Sequence, residues 1–174
     1  NMISQKGYLI LLESFKNLDR ETKANFELSF AGRFDSTFES DAFLKQIENE
    51  PNILYHGVVS DERKRELFHE SQVFILPTMF FEGQPVSILE AYASGCVVVT
   101  TGQSGILDIF KDKINGFQIN PGSIESIKEI LKVIGNRKNF LELKKIAFDN
   151  LTLASKDYRE ETYTKRIKDA LGVE

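Results

Sequence analysis

Short runs of apolar and β-branched residues alternate with amphipathic stretches along nearly the whole chain. The runs "FELSFAG" (26–32), "NILYHG" (52–57), "QVFILP" (72–77), "CVVVTT" (96–101) and "GFQIN" (116–120) predict strands. Between them, apolar residues fall at helical spacing: Tyr8, Leu11, Leu12, Phe15 and Leu18, then Phe43, Leu44 and Ile47, then Leu67 and Phe68. After "NPGS", Ser123 reads as an N-cap, and Ile124, Ile127, Leu131 and Ile134 line one side of a helix that stops at Gly135. Strands and helices in this alternation are the pattern of βαβ units around a parallel sheet, an α/β doubly wound, Rossmann-like fold. Two features at the ends suggest a piece of such a fold. The chain opens as a loop running into a helix, so the first strand is expected just upstream or truncated. After the last strand come helical segments only, and the final one, around 156–171, gathers Tyr158, Tyr163, Ile167 and Leu171 on one side.

Composition narrows the classes. With 174 residues, 41% of them hydrophobic, the chain can bury one sizeable core. A net charge of −4 with no basic stripe argues against nucleic acid. Apolar runs such as "VFIL" and "CVVV" are far short of the roughly 20 residues a membrane span needs. The lone cysteine, Cys96, excludes an intramolecular disulfide, fits a reducing cytoplasm, and reads as inert core.

The segment "FFEGQPVSILEAYASG" (80–95) carries the chemistry. Gly83 permits an unusual backbone angle and Pro85 suits the first turn of a helix, so a helix is expected from about 84 to a glycine cap at Gly95. On it Ser87, Glu90 and Ser94 share one narrow stripe, while Val86, Ile88, Leu89, Ala91, Tyr92 and Ala93 cover the rest. Glu82 stands in the loop before it. A helix N-terminus is a ready anion site. A diphosphate there would leave Glu90 about 9 Å along the helix, within reach of a ribose, and Glu82 on the other side, facing the hydroxyls of a sugar. Either glutamate alone reads as a dipole complement or a solvated face; the two together, in apolar surroundings and beside a glycine, point to a site.

These residues carry a resemblance. "EGQPVSILEAYASGCVVVTTGQSGILDIF" resembles the two-glutamate motif and following strand of the retaining, GT-B-fold glycosyltransferases of family four, the glycosyl transferases group 1. "NMISQKGYLILLESF", "FELSFAGRF", "NILYHGVVSDERKRELFHESQVFILPT" and "INGFQINPGSIESIKEIL" are similar to other parts of that family's C-terminal, donor-binding domain. The resemblance implies about six strands in the order 3-2-1-4-5-6, with residues 1–155 forming the nucleotide-sugar domain and the helix of 156–174 crossing to an absent N-terminal acceptor domain. It implies a UDP- or GDP-linked sugar donor, with Glu82 on the sugar and Glu90 on the ribose. The backbone N–H groups of Gln84, Val86 and Ser87 would face sugar and diphosphate, with Gly83 in the same loop. Lys6 would neutralise the diphosphate, Val58 would meet the base through its main chain, and Gly102 and Gly105 would form the glycine-bearing loop beside the donor.

Three departures from the family stand out: Asn1 replaces an arginine that often gives a second diphosphate contact, Pro85 replaces a glycine and its N–H, and Asp108 stands where glutamate is more usual. His56 and His69 have no metal-ligand spacing, no Asp-x-Asp-type pair stands beside the segment, and neither metal nor cofactor is expected. The implied activity is transfer of a sugar, with retention, to a glycan or lipid-linked acceptor. The implied setting is the cytoplasm, in polysaccharide or glycolipid synthesis, with no membrane span and room for peripheral association at the inner face. A nucleotide-sugar 2-epimerase or a non-catalytic sugar-nucleotide-binding module are the alternatives.

Overall fold

The computed structural model describes residues 1–158 together with Glu161 and Thr162. Its strands are β1 (Leu28–Phe30), β2 (Ile53–Tyr55), β3 (Val73–Leu76), β4 (Val97–Thr101) and β5 (Gly116–Ile119). The helices are α1 (Tyr8–Lys16), α2 (Arg20–Lys23), α3 (Thr37–Ile47), α4 (Asp61–Glu70), α5 (Val86–Ala93), α6 (Ser104–Leu107), α7 (Ile124–Gly135) and α8 (Phe140–Asp157). Every expected strand forms inside its apolar run, and all pairings are parallel.

The strands lie in two separately hydrogen-bonded sheets, β1-β2 and β3-β4-β5; in the expected order 3-2-1-4-5-6, whose first strand was expected upstream or truncated, that strand stands between β1 and β3. Neighbours within each sheet are the expected ones, and β1 and β3, which the expected order separates by its first strand, do not pair. The segment before α1 links them instead: the Met2 N–H donates to the Arg33 carbonyl beyond β1 (2.9 Å), and the Gln5 carbonyl accepts from Met79 N–H beyond β3 (2.8 Å).

β4 explains why the fold closes. All five of its residues are buried, as befits a central parallel strand covered on both faces. Val97 and Val99 point into one cluster with Leu12, Phe15, Phe43, Ile127 and Leu131 from α1, α3 and α7. Val98 points the other way, into Ile88, Tyr92, Ile106 and Phe110 around α5 and α6. The two-residue period thus divides one strand between two cores. Helix α8 lies along both, giving Ile146 to the first and Ala154 to the second. It also sends Asn150, fully buried, to bond the Cys96 and Asn115 carbonyls (both 2.8 Å) and to accept from the Asn115 amide (2.9 Å).

Ser123 caps α7 as expected, accepting from Ser126 N–H. Gly95, with φ of 73°, ends α5 in a Schellman turn: its N–H reaches the Tyr92 carbonyl (3.0 Å), and Cys96 N–H reaches that of Ala91 (2.9 Å). Tyr158 packs against the second cluster, whereas Tyr163, Ile167 and Leu171 of the expected crossing helix lie outside the described residues.

Candidate functional site

The site is assembled where β3 and β4 end. β3 runs out through Pro77 into Thr78, which is fully buried; Thr101, at the end of β4, donates to the Thr78 carbonyl (2.8 Å) and laces the two strand ends together. The Thr78 hydroxyl takes the Phe80 N–H (3.1 Å) and lies 3.1 Å from Glu82 Oε1, closer than to the Gln5 or Phe80 carbonyls. Lys6 Nζ approaches the same carboxylate oxygen at 3.3 Å. Glu82 is only 9% exposed, so a hydroxyl and an ammonium supply what a buried carboxylate requires.

Lys6 arrives there by backbone geometry. It ends a short 3-10 turn, Ser4–Lys6, and Gly7 follows at φ 80° as the N-cap of α1. A Cβ on Gly7 would overlap the Pro77 carbonyl, so the glycine lets the loop press against the chain leaving β3.

Helix α5 opens on this loop. Its N-cap is Pro85, in extended conformation and without a side-chain cap. Pro85 therefore stands one position before the first turn, where the sequence had suggested it would lie within it. Gly83 also differs from expectation, since its φ is not in the left-handed region. Among the described residues the N–H groups of Gln84, Val86 and Ser87 make no hydrogen bond, leaving the positive end of the helix unsatisfied by protein. Val86 is 64% exposed, so the helix is open at its first turn although Ile88, Ala91 and Tyr92 are buried. Phe80 and Phe81 are exposed on the approach.

Because α5 begins at Val86, Glu90 sits four residues on, about 6 Å along the axis and nearer than the sequence suggested. Its partner is Lys64 of α4, whose Nζ lies 2.8 Å from Glu90 Oε1. That hydrogen bond is the main reason the Lys64 pKa is raised above the usual lysine value. Val58, strongly exposed, stands two residues before Ser60, the N-cap of α4.

The two glycines of the β4–α6 loop are explained by contact. A Cβ on Gly105 would overlap the Gly83 carbonyl, and the Gly105 N–H donates to the Glu82 carbonyl (3.2 Å). Gly105 thus shapes the loop that holds Glu82, and its own N–H is already spoken for. Gly102 lies against the Gln118 amide of β5. Asp108 is exposed at the end of α6. His56 faces Ser29 Oγ at 3.0 Å and His69 is exposed. Cys96 is buried, and burial pushes its thiol up to about 11. The structure therefore brings Lys6, Glu82, Gly83 and Gly105 together directly, and carries Glu90 on the helix that starts at the same loop.

Thr78 and Lys64 were not anticipated. Thr78 had a signal, a polar residue at a strand end four positions before Glu82. Lys64 had none, being one of several charges in "DERKRE".

A parallel α/β domain with this loop, helix and glutamate arrangement is of the Rossmann-like type found in GT-B glycosyltransferases. Comparison with known proteins gives the family. The chain belongs to the glycosyl transferases group 1, whose family model matches residues 1–147. It is 32% identical over 135 residues to the alpha-galactosylglucosyldiacylglycerol synthase of Streptococcus pneumoniae, a match covering 76% of this chain and 33% of that protein. The structure of Anabaena HepE in complex with UDP-glucose superposes with a TM-score of 0.83 at 19% identity, covering 99% of this chain and 46% of that one. The C-terminal domain of a glycosyl transferase group 1 protein from Francisella tularensis gives 0.73 at 22% identity, covering 91% and 83%. The chain spans about a third of the length of the curated relatives it matches. Among the described residues no helix is long and apolar enough to cross a membrane.

Proposed function

We propose that this chain is the donor-binding part of a glycosyltransferase that moves a sugar from a UDP- or GDP-linked donor, with retention, to a glycan or lipid-linked acceptor. The observation that carries the proposal is the Glu82 carboxylate, buried beside the unbonded N–H groups of α5 and held by Lys6 and Thr78. A diphosphate at that helix end takes up the Gln84, Val86 and Ser87 N–H groups. Lys6, whose side chain is 37% exposed, keeps donor capacity for a phosphate oxygen while staying against Glu82. As the sugar–phosphate bond breaks, negative charge grows on the leaving nucleoside diphosphate, and the ammonium and helix end are already in place to stabilise it. Glu82 accepts from hydroxyls of the sugar, and Glu90 from those of the ribose.

Retention and the acceptor rest on the family alone. The acceptor side, and any acid or base it brings, belongs in this proposal to an N-terminal domain outside these 174 residues, so the chain by itself turns over no sugar.

Titration calorimetry of the 174-residue chain with UDP and GDP tests the reading. One of them binds, and Glu90→Ala weakens it by about tenfold with thermal stability retained. Binding of neither, or an unchanged affinity in the variant, refutes the site. Product analysis on an enzyme containing this domain separates transfer, which releases a nucleoside diphosphate and a new glycoside, from epimerisation of the donor.

A further inference from the structure

The ion pair between α4 and α5 has features that a simple brace between helices would not need. Lys64 and Glu90 lie on different helices, so tertiary packing and not helical spacing brings them to 2.8 Å. Only Oε1 of Glu90 is engaged; Oε2 has no partner among the described residues. The ammonium carries three donors, and its other neighbour, Asp61 of its own helix, stands at 3.7 Å. Both side chains remain about a third exposed, at 39% and 33%. An acceptor oxygen on the helix that begins at the candidate anion site and a cationic donor from α4 are thus held side by side.

Building on the proposed function, we infer that Lys64 is a positioning residue for ribose recognition: it holds Glu90 by Oε1, leaves Oε2 to a hydroxyl proton, and donates to the neighbouring hydroxyl oxygen. A vicinal diol suits this arrangement because each hydroxyl both gives and accepts a hydrogen bond. With the carboxylate fixed before the ligand arrives, less side-chain freedom is lost on binding. The raised lysine pKa agrees, since the hydrogen bond to Glu90 favours the charged ammonium. The opposite role would be competition, with Lys64 occupying Glu90 until the ribose displaces it.

The test is calorimetric titration of the 174-residue chain with UDP and GDP, each beside its 2′,3′-dideoxy form, in the native chain, Lys64→Met and Lys64→Arg. The native chain should lose about tenfold or more in affinity when the hydroxyls are removed. Lys64→Met should bind the natural nucleotide about tenfold more weakly while its affinity for the dideoxy form stays the same, so that discrimination shrinks to within about threefold. Lys64→Arg should recover part of it, the charge being kept. Discrimination unchanged in Lys64→Met overturns the inference while leaving the donor site standing, and tighter binding in that variant establishes competition instead. A native chain that binds neither nucleotide removes the proposed function, and this inference with it.

Discussion

Two glycines that meet in the Glu82 loop should respond in opposite ways to one added methyl group. A Cβ on Gly105 overlaps the Gly83 carbonyl, a clash with backbone that no rotamer change relieves, whereas a Cβ on Gly83 meets nothing within 4 Å. Helix α6 cannot back away, since Ile106 beside Gly105 is fully buried. The loop must therefore move. The hydrogen bond from Gly105 N–H to the Glu82 carbonyl, about 1 kcal/mol net, is lost with it. Overpacking adds about 1–3 kcal/mol, and alanine's better helix propensity offsets at most about 1 kcal/mol.

Gly105→Ala should accordingly destabilise by about 1–3 kcal/mol, a fall in Tm of roughly 3–10 °C for a chain of this size. A loop shift of about 1 Å also draws Glu82 away from Lys6 and Thr78, and nucleotide affinity should drop by tenfold or more. Gly83→Ala should stay within about 0.5 kcal/mol of the native chain. Differential scanning calorimetry and nucleotide titration read both effects. A Gly105→Ala chain as stable as the native one, or two variants that behave alike, would refute the reasoning.

Two further predictions concern the core. The Cys96 thiol, pushed up to about 11, keeps its proton between pH 9 and 11 in the folded chain while the unfolded chain sheds it. The folded state then binds more protons than the unfolded, so stability should fall by about 2–3 kcal/mol across that window. Urea unfolding at pH 8 and pH 11 should show this slope in the native chain, and Cys96→Ala should show a shallower one, the rest coming from the buried Tyr92 phenol, whose pKa is also raised by burial; equal slopes would count against the assignment. Asn150→Ala removes three buried hydrogen bonds and leaves the Cys96 and Asn115 carbonyls without that donor. It should cost about 3–5 kcal/mol in urea unfolding, and a loss below about 1 kcal/mol would show that water replaces the amide.

The hydrophobic pattern alone determined the five strands, the α7 cap and stop, and the glycine end of α5, because each depends on residues close together in sequence. It also singled out Glu82 and Glu90, since carboxylates in an apolar segment are conspicuous wherever they lie. The tertiary structure decided how their charge is satisfied: Lys6 reaches Glu82 across 76 positions, through a loop that Gly7 presses against Pro77, and Lys64 reaches Glu90 from another helix. Nothing local marks those lysines, because a cation on a flexible stem has the same sequence neighbours whether it points to water or to a buried acid. The role of Gly105 in fitting one loop against another was likewise settled by packing between distant segments. Local periodicity sets which elements form, but contacts between them set which charges meet, and for this chain the candidate chemistry resides in those meetings.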